Sequence, residues 1–146
     1  MKTLWFTGIP ASGKSTLAMK THLYLEHAGK PTILLDDEAV KRASQSKIIE
    51  AAQVLTRGSQ MPYTIIIASC IAPMNFTGTL IYCECSIKEV AMRDFDRYPD
   101  KDTYEKRLES FKNAWSHFIG PQEYDIKVNT GIHTIAECFE TIKKQL

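Results

Sequence analysis

Short apolar runs alternate along the chain with longer segments in which apolar residues recur every three or four positions. The apolar runs predict five β-strands, at residues 2–7, 32–35, 63–69, 79–85 and 124–129. The helical periodicity predicts helices from about residue 14 to a stop at Gly29, over 39–56, from 86 through 92, over 103–118 and from 135. Such alternation predicts an α/β fold in which a mostly parallel five-stranded sheet carries helices on both faces.

The link between the first strand and the first helix has the spacing G-x-x-x-x-G-K-S, which is typical of a phosphate-binding loop. Its glycines let successive N–H groups turn inward around an anion, at the positive end of the following helix. The lysine can reach the β- and γ-phosphates of ATP, and the serine hydroxyl can take one position on Mg²⁺. A P-loop NTPase fold is therefore expected. The residues predicted to bind ATP are Gly8, Ala11, Ser12, Gly13, Lys14, Ser15 and Thr16.

The composition favours one soluble domain over residues 1–146, with 44% hydrophobic and 24% charged residues. A net charge of +1 provides no strong field toward nucleic acid or an anionic membrane, so a polyanionic partner would need local contacts. No apolar run approaches membrane-spanning length, and the first residues contain the phosphate-binding motif rather than a signal sequence. We expect a cytoplasmic protein without a membrane partner.

An acidic cluster follows the second predicted strand, at residues 36–38. Phosphoryl transfer to a hydroxyl needs one carboxylate near the acceptor and another near Mg²⁺. We favour Asp36 as the catalytic carboxylate and as a Mg²⁺ ligand together with Ser15, and Glu38 is the next candidate for catalysis. The acids could equally stabilise a helix start, and both roles are compatible. The third strand ends without an aspartate, which argues against a motor or transport ATPase.

Residues 93–118 are predicted to form a lid segment and a helix. Arg93 is predicted to close over the phosphates and neutralise charge in the transition state, and Arg97 to contact the substrate. The alternative is a solvated loop, because aspartates are interleaved with these arginines. In the loop after the third strand, Phe76, preceded by Pro73, could stack on an acceptor or belong to the local core. The aromatic stripe of the 103–118 helix indicates packing rather than base stacking.

The sequence resembles the adenylyl-sulfate (APS) kinases. Residues 4–18, LWFTGIPASGKSTLA, are similar to that family's phosphate loop, including its tryptophan. Residues 35–41 lie where the family has L-D-G-D-x-V-R, and residues 70–73 resemble its F-I-S-P loop. Residues 91–94 are similar to its A-x-R-D at the start of the lid, and residues 120–124 to its P-P-E-N-P. The resemblance implies a kinase that uses ATP and Mg²⁺.

Departures from the family pattern concern the acceptor. Asp37 replaces a glycine, Glu38 an aspartate and Lys41 an arginine, and lysine lacks the bidentate fork that recognises phosphate or sulfate. The family's segment after that arginine is almost missing. We therefore expect a retained catalytic frame and a rebuilt acceptor pocket. The residues predicted to contact the acceptor are Asp37, Lys41, Pro73, Phe76 and Arg97.

Three functions agree with these features. The first is a kinase that transfers the γ-phosphate of ATP to a hydroxyl of a small, nucleotide-like acceptor. The second is a kinase acting on a 5′ or hydroxymethyl-base hydroxyl of DNA, because a short acceptor region leaves the cleft open. The third is a nucleotide-binding regulator without catalysis. The sequence does not determine the oligomeric state.

Overall fold

The computed structural model describes residues 2–36, residue 50, 63–71 and 78–146. Its elements in chain order are β1 (Lys2–Thr7), α1 (Lys14–His27), β2 (Thr32–Leu35), β3 (Thr64–Ser69), β4 (Thr79–Glu84), α2 (Ile87–Arg97), α3 (Tyr104–Trp115), β5 (Ile126–Asn129) and α4 (Ile135–Lys143). The predicted helix over 39–56 and the predicted loop over 72–77 lie outside the described residues, apart from residue 50.

All strand pairs of the five-stranded sheet are parallel, and the strand order is β2-β3-β1-β4-β5. The predicted α/β fold is thereby confirmed. The connection that leaves β1 leads to β2 on one side, whereas the connection that leaves the neighbouring β3 leads to β4 on the other side, so the topology switches between β1 and β3. Ligands of such sheets bind at the carboxyl ends of the strands beside this switch. The loop that follows β1 occupies that position.

The core lies mainly between the sheet and the face formed by α1 and α4. Alternate residues of four strands point to this face and pack on apolar residues of the two helices. The buried residues of this cluster are Leu4, Phe6, Leu17, Ala18, Leu25, Ile66, Ala68, Ile81, Cys83, Ile126, Val128, Cys138 and Ile142. Every residue of β3 is buried, as its continuous apolar sequence predicts. The central strands are therefore held on both sides and fix the loops at their carboxyl ends.

The helix ends agree with the sequence at some positions and differ at others. Gly29, with φ of +74°, follows the end of α1 as predicted. Ser86 caps α2 by accepting a hydrogen bond from the Glu89 amide at 3.2 Å, also as predicted. The prediction that α2 stops near residue 92 was wrong, because the helix runs to Arg97. Polar residues on an exposed face do not break a helix, and Pro99 follows shortly after the helix ends.

Two boundaries shift by a few residues, since α3 ends at Trp115 rather than at 118 and β5 begins at Ile126 rather than at 124. A capping box begins α4, in which the Thr134 and Glu137 side chains each bond to the other residue's amide. Among the described residues, no helix has the length and apolar character needed to cross a membrane.

Candidate functional site

The conformation of the loop between β1 and α1 requires glycine at two positions. Gly13 has φ of +92°, a left-handed value that glycine adopts without strain, and Ala11 has φ of +63°. A Cβ atom on Gly8 would lie 2.4 Å from the Cys83 carbonyl oxygen and 2.6 Å from the Ser12 Oγ. No side chain fits there unless the loop moves away from β4. The first glycine of the motif thus allows close contact between the loop and β4.

A cavity of about 270 Å³ opens over this loop and the first turn of α1. We call it the phosphate-loop cavity; it is lined by Ala11, Gly13, Lys14, Ser15, Thr16, Arg93, Arg97 and Ile135. Lys14 is only 4% exposed, and no acidic residue lies in the first turn of the helix. The Lys14 ammonium and the positive end of α1 therefore both lie at the phosphate-loop cavity, which favours binding of an anion there.

The structure brings both predicted lid arginines to this cavity. The Arg93 guanidinium donates to the Ala11 carbonyl at 3.0 Å, to the Thr130 hydroxyl at 3.1 Å and to the Thr130 carbonyl at 2.6 Å. Its Nε lies 3.4 Å from a carboxylate oxygen of Glu89. Arg97 lies exposed one helical turn further along α2. Arg93 is thus fixed against the phosphate loop from the β5 side, whereas Arg97 faces the cavity from its rim.

Thr130 is a site residue that no motif in the sequence indicates. It directly follows β5, is 5% exposed, and its hydroxyl donates to the Ser12 carbonyl at 2.5 Å. These partners are 118 positions apart in the chain, so no local spacing relates them. A single threonine after a short strand carries no motif.

The acidic cluster is described only at its first residue. Asp36 directly follows β2 and is exposed, at the same sheet edge as the phosphate loop. The other predicted residues, Asp37, Glu38, Lys41, Pro73 and Phe76, lie outside the described part of the chain, and their roles stay predictions. Within the described ranges, no group of three or more His, Cys, Asp or Glu residues could hold a metal ion.

A hydrogen bond from Trp5 on β1 holds the start of the loop after β3. The Trp5 indole is fully buried and donates from Nε1 to the Ile71 carbonyl at 3.0 Å. The Ser69 hydroxyl accepts a hydrogen bond from the Ile71 amide at 3.2 Å. These two bonds hold the start of the β3 loop at the carboxyl edge of the sheet.

A second cavity, of about 240 Å³, lies where the phosphate loop meets the carboxyl end of β4 and the end of α3. We call it the aromatic cavity; it is lined by Ile9, Tyr82, Cys83, Glu84, Cys85, Ser86, Ile87, Trp115, Ser116 and Phe118. The Trp115 and Phe118 rings meet edge to face at 6.0 Å. Both residues are half-buried, and besides packing on each other they line the cavity.

Charge in the aromatic cavity is low. Among the described residues that line it, Glu84 alone is acidic, and its carboxylate lies 3.2 Å from the Lys127 ammonium on β5. Burial raises the pKa of Tyr82 above its usual value, with Glu84 adding to the effect, so the phenol stays protonated at neutral pH. None of the residues lining this cavity in the described chain is Lys or Arg. Its surface suits an aromatic, uncharged group.

Comparison with known proteins gives a consistent result. A family model described as adenylylsulphate kinase matches residues 1–129. The adenylyl-sulfate kinase of Clostridium acetobutylicum is 26% identical over 98% of this chain and 82% of its own length. That of Prochlorococcus marinus is 25% identical with the same coverage. The APS kinase of Mycobacterium tuberculosis, solved in complex with AMPPNP and APS, has the same fold with a TM-score of 0.67, at 18% identity over 98% of this chain and 95% of its own.

Proposed function

The chain belongs to the adenylyl-sulfate kinase family, and on that premise we propose that it transfers the γ-phosphate of ATP to a hydroxyl of a small, nucleotide-like acceptor. The observation that carries this proposal is the pair of cavities on the phosphate loop. One suits an anion and lies over the helix N-terminus. The other is aromatic and includes Ile9 of the same loop. A donor and an acceptor could thus meet at one short segment of backbone.

In this proposal ATP occupies the phosphate-loop cavity. The loop amides and the Lys14 ammonium bind the β- and γ-phosphates, at the positive end of α1. Ile135 offers an apolar surface for the rest of the nucleotide, and Arg97 supplies a cation at the rim. Arg93, bonded to the loop carbonyl of Ala11, adds positive charge where charge develops in the transition state.

The residues present fit a Mg²⁺ ion that arrives with ATP. Such an ion keeps waters and phosphate oxygens and needs only one or two oxygens from the protein. The Ser15 hydroxyl lies in the phosphate-loop cavity, and Asp36 lies at the same sheet edge. When bound, Mg²⁺ would neutralise charge on the phosphates.

The acceptor occupies the aromatic cavity, where Tyr82, Trp115 and Phe118 suit a base or another planar ring. The acceptor oxygen attacks the γ-phosphorus, the bond to the β-phosphate oxygen breaks, and ADP leaves. Asp36 follows β2, on the other side of β1 from this cavity, so the acceptor extends across the phosphate loop in this proposal and Asp36 or Glu38 takes the proton of its hydroxyl. Glu84 is already paired with Lys127 and is not assigned this role. The reaction is proposed to take place in the cytoplasm.

The test is transfer of labelled γ-phosphate from ATP to a panel of alcohols. The panel contains adenylyl sulfate, unsulfated nucleosides, and DNA with 5′ or hydroxymethyl-base hydroxyls. Transfer to adenylyl sulfate or to a nucleoside supports the proposal, and Asp36→Asn should lower kcat about 100-fold if this carboxylate is the base. Transfer to DNA alone, or ATP binding without any transfer, would replace the proposal by a polynucleotide kinase or a non-catalytic regulator.

A further inference from the structure

We propose that Thr130 is a positioning residue that holds the phosphate loop in its anion-binding conformation. It lies outside the loop, directly after β5, and is 5% exposed. Its hydroxyl donates to the Ser12 carbonyl at 2.5 Å and accepts from the Arg93 Nη1 at 3.1 Å. Both hydrogen-bonding roles of the hydroxyl are thus used, so its orientation is fixed.

The bond to Ser12 determines where the next amide points. In a trans peptide the carbonyl oxygen and the following N–H lie in one plane and point in opposite directions. The Ser12 carbonyl faces Thr130, so the Gly13 N–H faces away from β5, toward the side where the triphosphate is proposed to bind. The left-handed φ of +92° at Gly13 follows directly after this peptide. Fixing one carbonyl therefore presents one amide to the anion.

Arg93 connects Thr130 to a second carbonyl of the phosphate loop. Its Nη2 donates to the Thr130 carbonyl at 2.6 Å, and its Nη1 donates to the Ala11 carbonyl at 3.0 Å. Ala11 has φ of +63°, which is uncommon for a residue with a side chain and persists when the surroundings hold it. Two consecutive carbonyls of the loop, those of residues 11 and 12, are thus bound from outside. Contacts that hold the loop in one conformation lower the cost of ordering it when an anion binds.

Thr130 also packs against the loop, and the test must separate packing from hydrogen bonding. A Cβ atom on Gly13 would lie 3.2 Å from the Thr130 methyl carbon. Thr130→Val keeps this methyl and removes the hydroxyl. Thr130→Ser keeps the hydroxyl and removes the methyl. The two variants therefore distinguish the two contributions.

The experiment is calorimetric titration of wild type, Thr130→Val and Thr130→Ser with ATP and, separately, with inorganic triphosphate, each with Mg²⁺. We expect Thr130→Val to raise the Kd of both ligands about tenfold, since a hydrogen bond to a charged network is lost. Thr130→Ser should stay within about threefold of wild type. In transfer assays, the valine variant should raise the KM for ATP more than it lowers kcat.

Three results would overturn this role. Wild-type affinity in the valine variant shows that the hydroxyl is dispensable, and equal losses in both variants show that the methyl contact matters instead. Weaker binding of ATP with unchanged binding of inorganic triphosphate would show that Thr130 affects binding of the nucleoside part of ATP and not of the phosphates. If the valine variant does not fold, Thr130→Ala replaces it with the same expectations. The inference rests on the proposed triphosphate site, and failure of wild type itself to bind either ligand would contradict that site instead.

Discussion

The Arg107 guanidinium on α3 lies against the last turns of α2, where it donates to the Asp94 carbonyl at 2.6 Å and lies 3.6 Å from the Asp94 carboxylate. It also donates to the Tyr98 carbonyl, and it lies 5.3 Å from the centre of the Phe95 ring. Arg107 is 5% exposed. One side chain thus joins the two helices of the predicted lid segment and satisfies carbonyls at the end of α2. The segment is a braced helical hairpin rather than a solvated loop.

Arg107→Ala should therefore lower the free energy of unfolding by about 2 kcal/mol, since it removes the buried cationic partner of the Asp94 carboxylate and one of the donors to each of two carbonyls. Urea denaturation followed by circular dichroism measures this change. The matched control is Lys106→Ala, because that neighbouring lysine is 74% exposed and its pair with Asp102 spans 3.8 Å. The control should change stability by less than about 0.5 kcal/mol. Equal effects of the two substitutions would show that Arg107 is not a brace.

Gly8→Ala should weaken ATP binding by about tenfold or more, because the new Cβ would lie 2.4 Å from a backbone oxygen of β4 and the loop must move. Gly29→Ala is the control. Its φ of +74° is also left-handed, but a Cβ there meets nothing within 4 Å. The control should cost about 1 kcal/mol of stability and leave the Kd for ATP unchanged. Calorimetric titration decides, and an unchanged Kd in Gly8→Ala would contradict the assigned loop geometry.

Stability should fall at alkaline pH through the Cys83 thiol. Burial raises the pKa of Cys83 to about 12 from an ordinary value of 9.0, with Lys14 opposing the shift. Between these values the unfolded chain loses a proton that the folded chain keeps, so ionisation favours unfolding as the pH rises. The group contributes a slope of about 1.4 kcal/mol per pH unit above pH 9. In denaturant titrations, the free energy of unfolding of Cys83→Ala should fall less steeply between about pH 9 and pH 10.5 than that of wild type. Identical slopes for the two proteins would contradict this.

Gly120→Ala should affect the acceptor and not ATP. A Cβ at this position would lie 2.5 Å from the Tyr82 ring, which lines the aromatic cavity. The ring must move, so we expect the KM for the acceptor to rise about tenfold with little change in the Kd for ATP. Steady-state kinetics with the acceptor found in the transfer panel measures this. A rise in the Kd for ATP alone would show that the aromatic cavity is not the acceptor site.

Features that depend on neighbouring residues were predictable from the sequence. The continuous apolar run of β3 indicated a strand buried on both faces, and the glycines and lysine of the phosphate loop identified its turn and helix start. Ser86, three residues before Glu89, identified the start of α2. Each of these signals lies within a few positions of the feature that it determines, so the feature can be recognised in the amino-acid sequence.

Features that depend on distant residues were not predictable. Thr130 and Ser12 meet only because β4 and β5 extend the sheet beside the phosphate loop. Arg107 lies in a highly charged stretch that indicates a solvent-facing helix, yet it is buried, because its guanidinium contacts the Phe95 ring and the carbonyl and carboxylate of Asp94. Periodicity of apolar residues does not reveal buried polar contacts of this kind.

The most direct test of the account is calorimetric titration with ATP and Mg²⁺ of wild type, Lys14→Ala and Lys20→Ala. Lys14 lies in the phosphate-loop cavity, whereas Lys20 is an exposed residue of the same helix. We expect wild type and Lys20→Ala to bind with equal Kd and Lys14→Ala to bind about 100-fold more weakly. Equal affinity of all three proteins, or no binding by wild type, would contradict it.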